Sequence, residues 1–223
     1  MPRRFRHTLQ GAAFHVMNRA VRCAPIFQTS DDYDAFLAVA REGLAQHPVK
    51  VIAYCVMPSH WHFVVLCERI KEISDWMHWL AGTHARRWHG AHGTRGTGHL
   101  YQDRFRAVPI QTETSLVRVC RYVERNALRK GLVEVAEDWA WGSLHASSRN
   151  CHPIPLAPWP IPQPTNWTEI VNGDENESEL EALRKTLRRN QPVGELQWQK
   201  AVAPFVGLSM RQIGRPRKRS PTP

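Results

Sequence analysis

Residues 49–67 read VKVIAYCVMPSHWHFVVLC. Two apolar runs, 49–56 and 63–66, flank Met57-Pro58-Ser59. Short apolar runs on either side of a proline-containing turn predict two neighbouring strands joined as a hairpin. Towards the N-terminus, residues 30–48 place Tyr33, Phe36, Leu37, Ala40 and Leu44 on one helical face. Ser30 stands in the N-cap position, acids fill the first turn and Pro48 follows the end. Before that helix, AAFHVMNRAV (12–21) reads as a strand ending near Arg22. Towards the C-terminus, a second helix is expected over about 72–88, with Ile73, Trp76, Met77 and Leu80 on one face. A glycine-rich loop (90–98), a fourth strand in YQDRFRAVPIQ (101–111) and a third helix in TETSLVRVCRYVERNALRKG (112–131) follow, the last closed by Gly131 in the C′ position. The order β-α-β-β-α-β predicts an α+β fold, a ferredoxin-like split βαβ. It is an antiparallel sheet with helices on one face, to which a further C-terminal helix and an extension are added. Fold alone carries no function.

The chain has 223 residues, enough for one good core plus extensions. The apolar fraction of 42% and nine tryptophans exclude a wholly disordered chain. No apolar run reaches the roughly 18 residues of a membrane span, and the first residues show no apolar signal segment. The five cysteines are odd in number and scattered. They read as reduced thiols of a cytoplasmic, nucleoid-associated protein, with no disulfide frame. Net charge is +10, and the excess is unevenly placed. Residues 1–22 carry five arginines and no acid, and residues 211–219 five basic residues and no acid. Such a distribution points to a polyanion partner, nucleic acid above all. Residues 151–164 hold six prolines, which forbids a helix and predicts a linker or strap. The expected organisation is a domain over 1–148, a proline-rich strap over 149–170, and a small helical extension with a basic tail over 171–223.

His60 and His62 flank Trp61 on the second strand of the hairpin and project from one face of it. Two adjacent imidazoles suit a divalent metal, although two histidines at a strand end are also an ordinary structural outcome. In the third helix, Leu116, Cys120, Val123 and Ala127 form the stripe that faces the core. Tyr122 and Asn126 fall about 120° and about 80° from it, so that Tyr122, Asn126 and Arg129 share a flank. A tyrosine can act as a nucleophile, an asparagine oxygen can serve a hard cation, and an arginine can hold a phosphate. A purely interfacial tyrosine is the competing reading. Arg3, Arg4, Arg6, Asn18, Arg19, Arg22, Arg104 and Arg106 are candidates for phosphate contact, with Tyr101 and Phe105 as aromatics on which bases could stack. Trp76, Trp79 and Trp88 read as packing. The histidines around the glycine loop (His84, His89, His92, His99) read as solvated rather than as a metal site. The tail IGRPRKRS resembles an AT-hook core, a pattern equally open to being an unstructured basic tail.

MPSHWHFVV (57–65) resembles the histidine–hydrophobe–histidine motif of the single-tyrosine transposases, and RYVERNALRKGLV (121–133) resembles their tyrosine helix. FHVMNRAVRCAPIF, GHLYQDRFRAVPI and the W-x-W-G-S-L-H run at 139–145 are similar to the REP-associated branch of that family. The resemblance covers residues 1–148. Ser59 departs from it, since relatives often carry asparagine there. The resemblance implies that Tyr122 is the nucleophile, cutting single-stranded or hairpin DNA to leave a 5′-phosphotyrosine and a free 3′-hydroxyl. It implies that His60, His62 and Asn126 hold Mg²⁺ or Mn²⁺. It further implies a palindromic repeat hairpin as substrate and a monomer, although dimers are known among relatives. A non-catalytic regulator that binds the same repeats is the alternative of a different class. A replication initiator or relaxase is a remoter one.

Overall fold

The computed structural model describes residues 12–204. Eight α-helices and four strands are assigned among them: β1 (Ala12–Arg19), α1 (Ser30–Leu44), β2 (Lys50–Met57), β3 (His60–Cys67), α2 (Ile70–Ala91), β4 (Arg106–Ile110), α3 (Thr114–Glu124), α4 (Asn126–Arg129), α5 (Ser143–Ser148), α6 (Trp167–Asn172), α7 (Glu177–Arg188) and α8 (Leu196–Val202). The sheet order is β2-β3-β1-β4 and every neighbouring pair is antiparallel. This is the split βαβ arrangement the sequence predicts.

The hairpin turn is only Pro58 and Ser59. Its carbonyls anchor what surrounds it. Pro58 accepts from the Ile26 and Phe27 amides and Ser59 from the Ala20 amide, which ties the exit of β1 to the turn. Alternation along β3 then divides the molecule. Trp61 and Phe63 point to the face covered by α1 and α2, where they meet Phe36 and Trp76. His60 and His62 point to the other face, and α3 lies over them. The two helices of the split unit thus share one face and the added helix takes the opposite one. With both faces covered, β2 and β3 are buried along almost their whole length, as their near-continuous apolar sequence requires.

Several boundaries differ from expectation for local physical reasons. The N-cap of α1 is Thr29, one residue earlier than Ser30. Its hydroxyl accepts from the Asp32 amide while the Asp32 carboxylate accepts from the Thr29 amide, a reciprocal capping box. β1 ends at Arg19, since Arg22 and Cys23 both adopt positive φ and turn the chain away. The third predicted helix is interrupted at Arg125, which separates α3 from α4. Gly131 closes α4 with φ +65°, the left-handed C′ conformation. The proline-rich segment is a strap against β2, where the Ala157 amide donates to the Val51 carbonyl at 2.7 Å. Trp76 is fully buried, and Trp79 and Trp88 pack at the rim of the core.

Candidate active site

β3 sets the two histidine rings 5.0 Å apart between centroids. The stripe Leu116, Cys120, Val123 and Ala127 is fully buried against the sheet. That docking rolls Tyr122 over the histidines, its ring edge-on to His62 at 5.9 Å between centroids. Two motifs about 60 residues apart therefore meet. Burial, helped by the cations of Arg19 and Lys130, lowers His60 to about 4, and burial holds His62 well below the usual histidine range. Both rings are neutral near pH 7 and have nitrogen lone pairs to offer. Burial raises the Tyr122 phenol, outweighing the opposite pull of Arg129, Arg184 and Arg19. The phenol is therefore protonated at rest.

Asn126 and Arg129 lie on the same flank as Tyr122. The Arg129 guanidinium sits 4.7 Å from the Tyr122 ring centroid. It donates to the Asn126 side-chain oxygen at 3.0 Å and to the Tyr122 carbonyl at 3.1 Å, at the point where regular helical bonding lapses. Its remaining donors form a bidentate pair with Glu175, both bonds 2.8 Å. Arg125 stands beside the same carboxylate at 3.1 Å. Arg121 and Arg125 also donate to the carbonyls of Ile170, Val171 and Gly173 around the C-terminus of α6, and Arg121 to that of Asp174. Three arginines at i, i+4 and i+8 thus clamp the extension onto the tyrosine helix. Only Arg129 of the three is among the residues the sequence points to. The 121–125–129 spacing was readable, but its partner Glu175 lies 46 residues further on.

Arg19 is exposed beside His60, its pairing partner in the sheet, and Arg106 is exposed on the same face. Arg104 is exposed just before β4, and Phe105 is half-buried against the core. Asn18 is not brought to the site. It pairs with Trp61, is buried on the α1–α2 face, and its side-chain oxygen accepts from the Arg19 amide. Tyr101 is no stacking platform either. Its hydroxyl accepts from the Trp61 indole and bonds His84 inside the core. Arg3, Arg4, Arg6 and the basic tail lie outside the described residues. Sequence reasoning also missed His15 on β1, whose Nε2 lies 2.8 Å from His62 Nδ1. Its only signal was a histidine within the otherwise apolar run 12–17.

Among the described residues no three His, Cys, Asp or Glu side chains cluster to hold a metal. A cation here would rest on the two neutral imidazoles and an amide oxygen. Asn126 is buried and its side-chain oxygen has one lone pair left after Arg129, so the donor chemistry fits a divalent ion of intermediate softness.

Residues 8–126 match the model of the family described as transposase IS200 like. No curated protein sequence matches the chain. Among solved structures, a REP-associated tyrosine transposase bound to a REP hairpin is similar at a TM-score of 0.52 and 19% identity, covering 71% of this chain and 92% of that one. A candidate transposase from Deinococcus radiodurans R1 is similar at a TM-score of 0.40 and 20% identity, covering 56% and 95%.

Proposed function

The chain belongs to the IS200-like transposase family and so to proteins that process DNA, and from that premise we propose that it is a metal-dependent endonuclease and strand transferase of single-stranded DNA. Its substrate is a palindromic repeat hairpin, the ligand named for the similar solved structure. The reading is carried by one observation, the convergence of Tyr122 on the His60–His62 pair.

The Tyr122 oxygen attacks the phosphorus of a phosphodiester after losing its proton to solvent. The new P–O bond to tyrosine forms as the P–O3′ bond breaks, and the leaving 3′ oxygen takes up a proton. The products are a 5′-phosphotyrosine and a free 3′-hydroxyl. Rejoining is the reverse attack by a 3′-hydroxyl, so no energy cofactor is needed. A raised phenol pKa makes the unaided attack slow. A divalent cation held by His60, His62 and Asn126 would polarise the phosphate and stabilise the charge developing on it. Imidazole donors favour Mn²⁺ at least as well as Mg²⁺. Arg19 and Arg106, exposed around the histidine face, would neutralise flanking phosphates. No helix among the described residues is long and apolar enough to cross a membrane.

The test is incubation with end-labelled hairpin DNA and Mn²⁺, followed by a denaturing gel. A covalent adduct formed by the unmodified protein and lost in Tyr122→Phe is expected. Binding without any adduct would replace the enzyme with a DNA-binding regulator. Activity with Mg²⁺ but none with Mn²⁺ would remove the assigned ligands.

A further inference from the structure

His15 stands in the middle of β1, and its ring stacks on that of His62 with centroids 5.0 Å apart and planes 23° apart. Its Nε2 lies 2.8 Å from His62 Nδ1. Both rings are almost completely buried, and a histidine must be neutral to offer a metal a lone pair. Two neutral imidazoles in such a bond have one proton between them, so one ring donates and the other accepts. The choice decides what His62 can do with its other nitrogen. If His15 Nε2–H donates, His62 carries its own proton on Nε2, and that nitrogen cannot ligate. If His62 Nδ1–H donates to His15, His62 Nε2 holds a lone pair.

Resting on the reading of His60 and His62 as metal ligands, we propose that His15 is a positioning residue: by accepting the Nδ1 proton of His62 it fixes the tautomer and ring orientation that present Nε2 to the cation. Ligating histidines are held in this way by a second hydrogen bond from the nitrogen that does not touch the metal. The His60 Nδ1 lies 3.1 Å from the Ser59 hydroxyl, which is able to accept a proton there in the same manner. In the proposed arrangement the His15 proton sits on its own Nδ1, which is buried and has no partner. That nitrogen is therefore not what holds His15 in place; the bond to His62 is. His15 also lies edge-on to Tyr122 at 6.2 Å between ring centroids, so the β1 ring borders both the ligand and the nucleophile.

The experiment measures Mn²⁺ affinity of the full chain by electron paramagnetic resonance, without DNA and above pH 7. His15→Leu fills the space but offers no acceptor, and its affinity is expected to fall about 10–100-fold. His15→Gln brings an amide oxygen near the place of Nε2 and is expected to recover most of that loss. Unchanged affinity in the leucine variant would overturn the proposal. So would an equal loss in both variants at an unchanged melting temperature. A second readout needs no substitution: long-range ¹⁵N–¹H correlation spectra of the histidine-labelled protein with Zn²⁺ as a diamagnetic probe. A proton on His62 Nδ1 is expected, and one on Nε2 would overturn the assignment. His62→Ala separates the two levels of the argument. If that variant binds Mn²⁺ undiminished, the ligand reading itself is wrong, whatever His15 does.

Discussion

At the scale of single residues, Glu124 shows how hydrogen-bond arithmetic fixes a charge state. It is fully enclosed by α3, β2 and α6, and burial raises its carboxyl to about 7. The Ser143 hydroxyl touches it, accepts from the Tyr54 amide at 2.8 Å and lies 3.2 Å from the Tyr54 carbonyl. The Trp167 indole donates to its second oxygen at 2.6 Å. If Glu124 is ionised, the single Ser143 proton must serve two acceptors. If it is protonated, it donates to Ser143, which donates to Tyr54, and every group is satisfied. A carboxyl whose folded pKa lies above its unfolded value of 4.5 stabilises fully below pH 4.5, and that contribution is lost as pH rises through about 7. Glu124→Gln keeps the bonds and removes the titration. It is expected to be more stable than the unmodified protein at pH 8 by roughly 1–3 kcal/mol and nearly equal to it at pH 4.5, as read by urea unfolding at the two pH values. Equal stability at pH 8 would mean that the buried group is not penalised. His84 works in the opposite direction. Burial lowers it to about 3, so its contribution is present above pH 6.5 and lost as pH falls towards 3.

At the scale of elements, the α1–α2 contact turns on one glycine. A Cβ at Gly43 would come within 2.7 Å of Trp79 and 2.9 Å of Trp76. Trp76 is fully buried and cannot swing aside, so Gly43→Ala must push the helices apart, at a cost of about 1–3 kcal/mol by thermal melting. The clamp between α3–α4 and the extension makes a second prediction. Glu175→Ala leaves Arg125 and Arg129 without their shared carboxylate, and both are largely buried. Losing one member of such a cluster is expected to cost about 3 kcal/mol, appearing first as faster hydrogen exchange in α6 and α7. The freed guanidiniums should also steepen the salt dependence of single-strand binding, each new phosphate contact adding about 0.7 to the logarithmic slope. The core-facing stripe of α3 and the flank of Tyr122, Asn126 and Arg129 were legible because a helix fixes its own faces. Asn18 was misread because strand parity against a partner is invisible in one strand. Only the pairing of Asn18 with Trp61 and of Arg19 with His60 shows which of the two faces the site. The same holds for Tyr101, whose bonds to Trp61 and His84 join residues far apart in the chain. The pairing of His15 with His62 spans 47 residues and was hidden for that reason.

At the scale of the whole molecule, the segment after residue 148 finishes the sheet as well as covering the tyrosine helix. An open sheet has two edges, and bare edges invite pairing with another chain. Along β2, Trp141 already accepts from the Val56 amide ahead of that segment, and the segment adds a bridge between Leu156 and Val51 closed by the Ala157 amide. Along β4, the Val193 amide donates to the Pro109 carbonyl at 2.9 Å and the Gln111 amide to the Val193 carbonyl at 2.8 Å. A composition rich in proline announced a strap, but nothing local announced which edge it would cover, because these bonds join residues 80 or more positions apart. The extension also buries Trp167, Val171, Leu180, Leu183 and Leu187, which partly face α3. With both edges occupied, the full chain is expected to sediment as a monomer. A chain ending at residue 148 loses Leu156 and Val193 from the two edges and uncovers the apolar surface beneath α6 and α7. That chain is expected to self-associate with rising concentration, and high salt should strengthen the association by screening the repulsion between its basic surfaces. A shortened chain that stays monomeric at every concentration and salt would show that the strap and extension are not what keeps the strand edges from pairing.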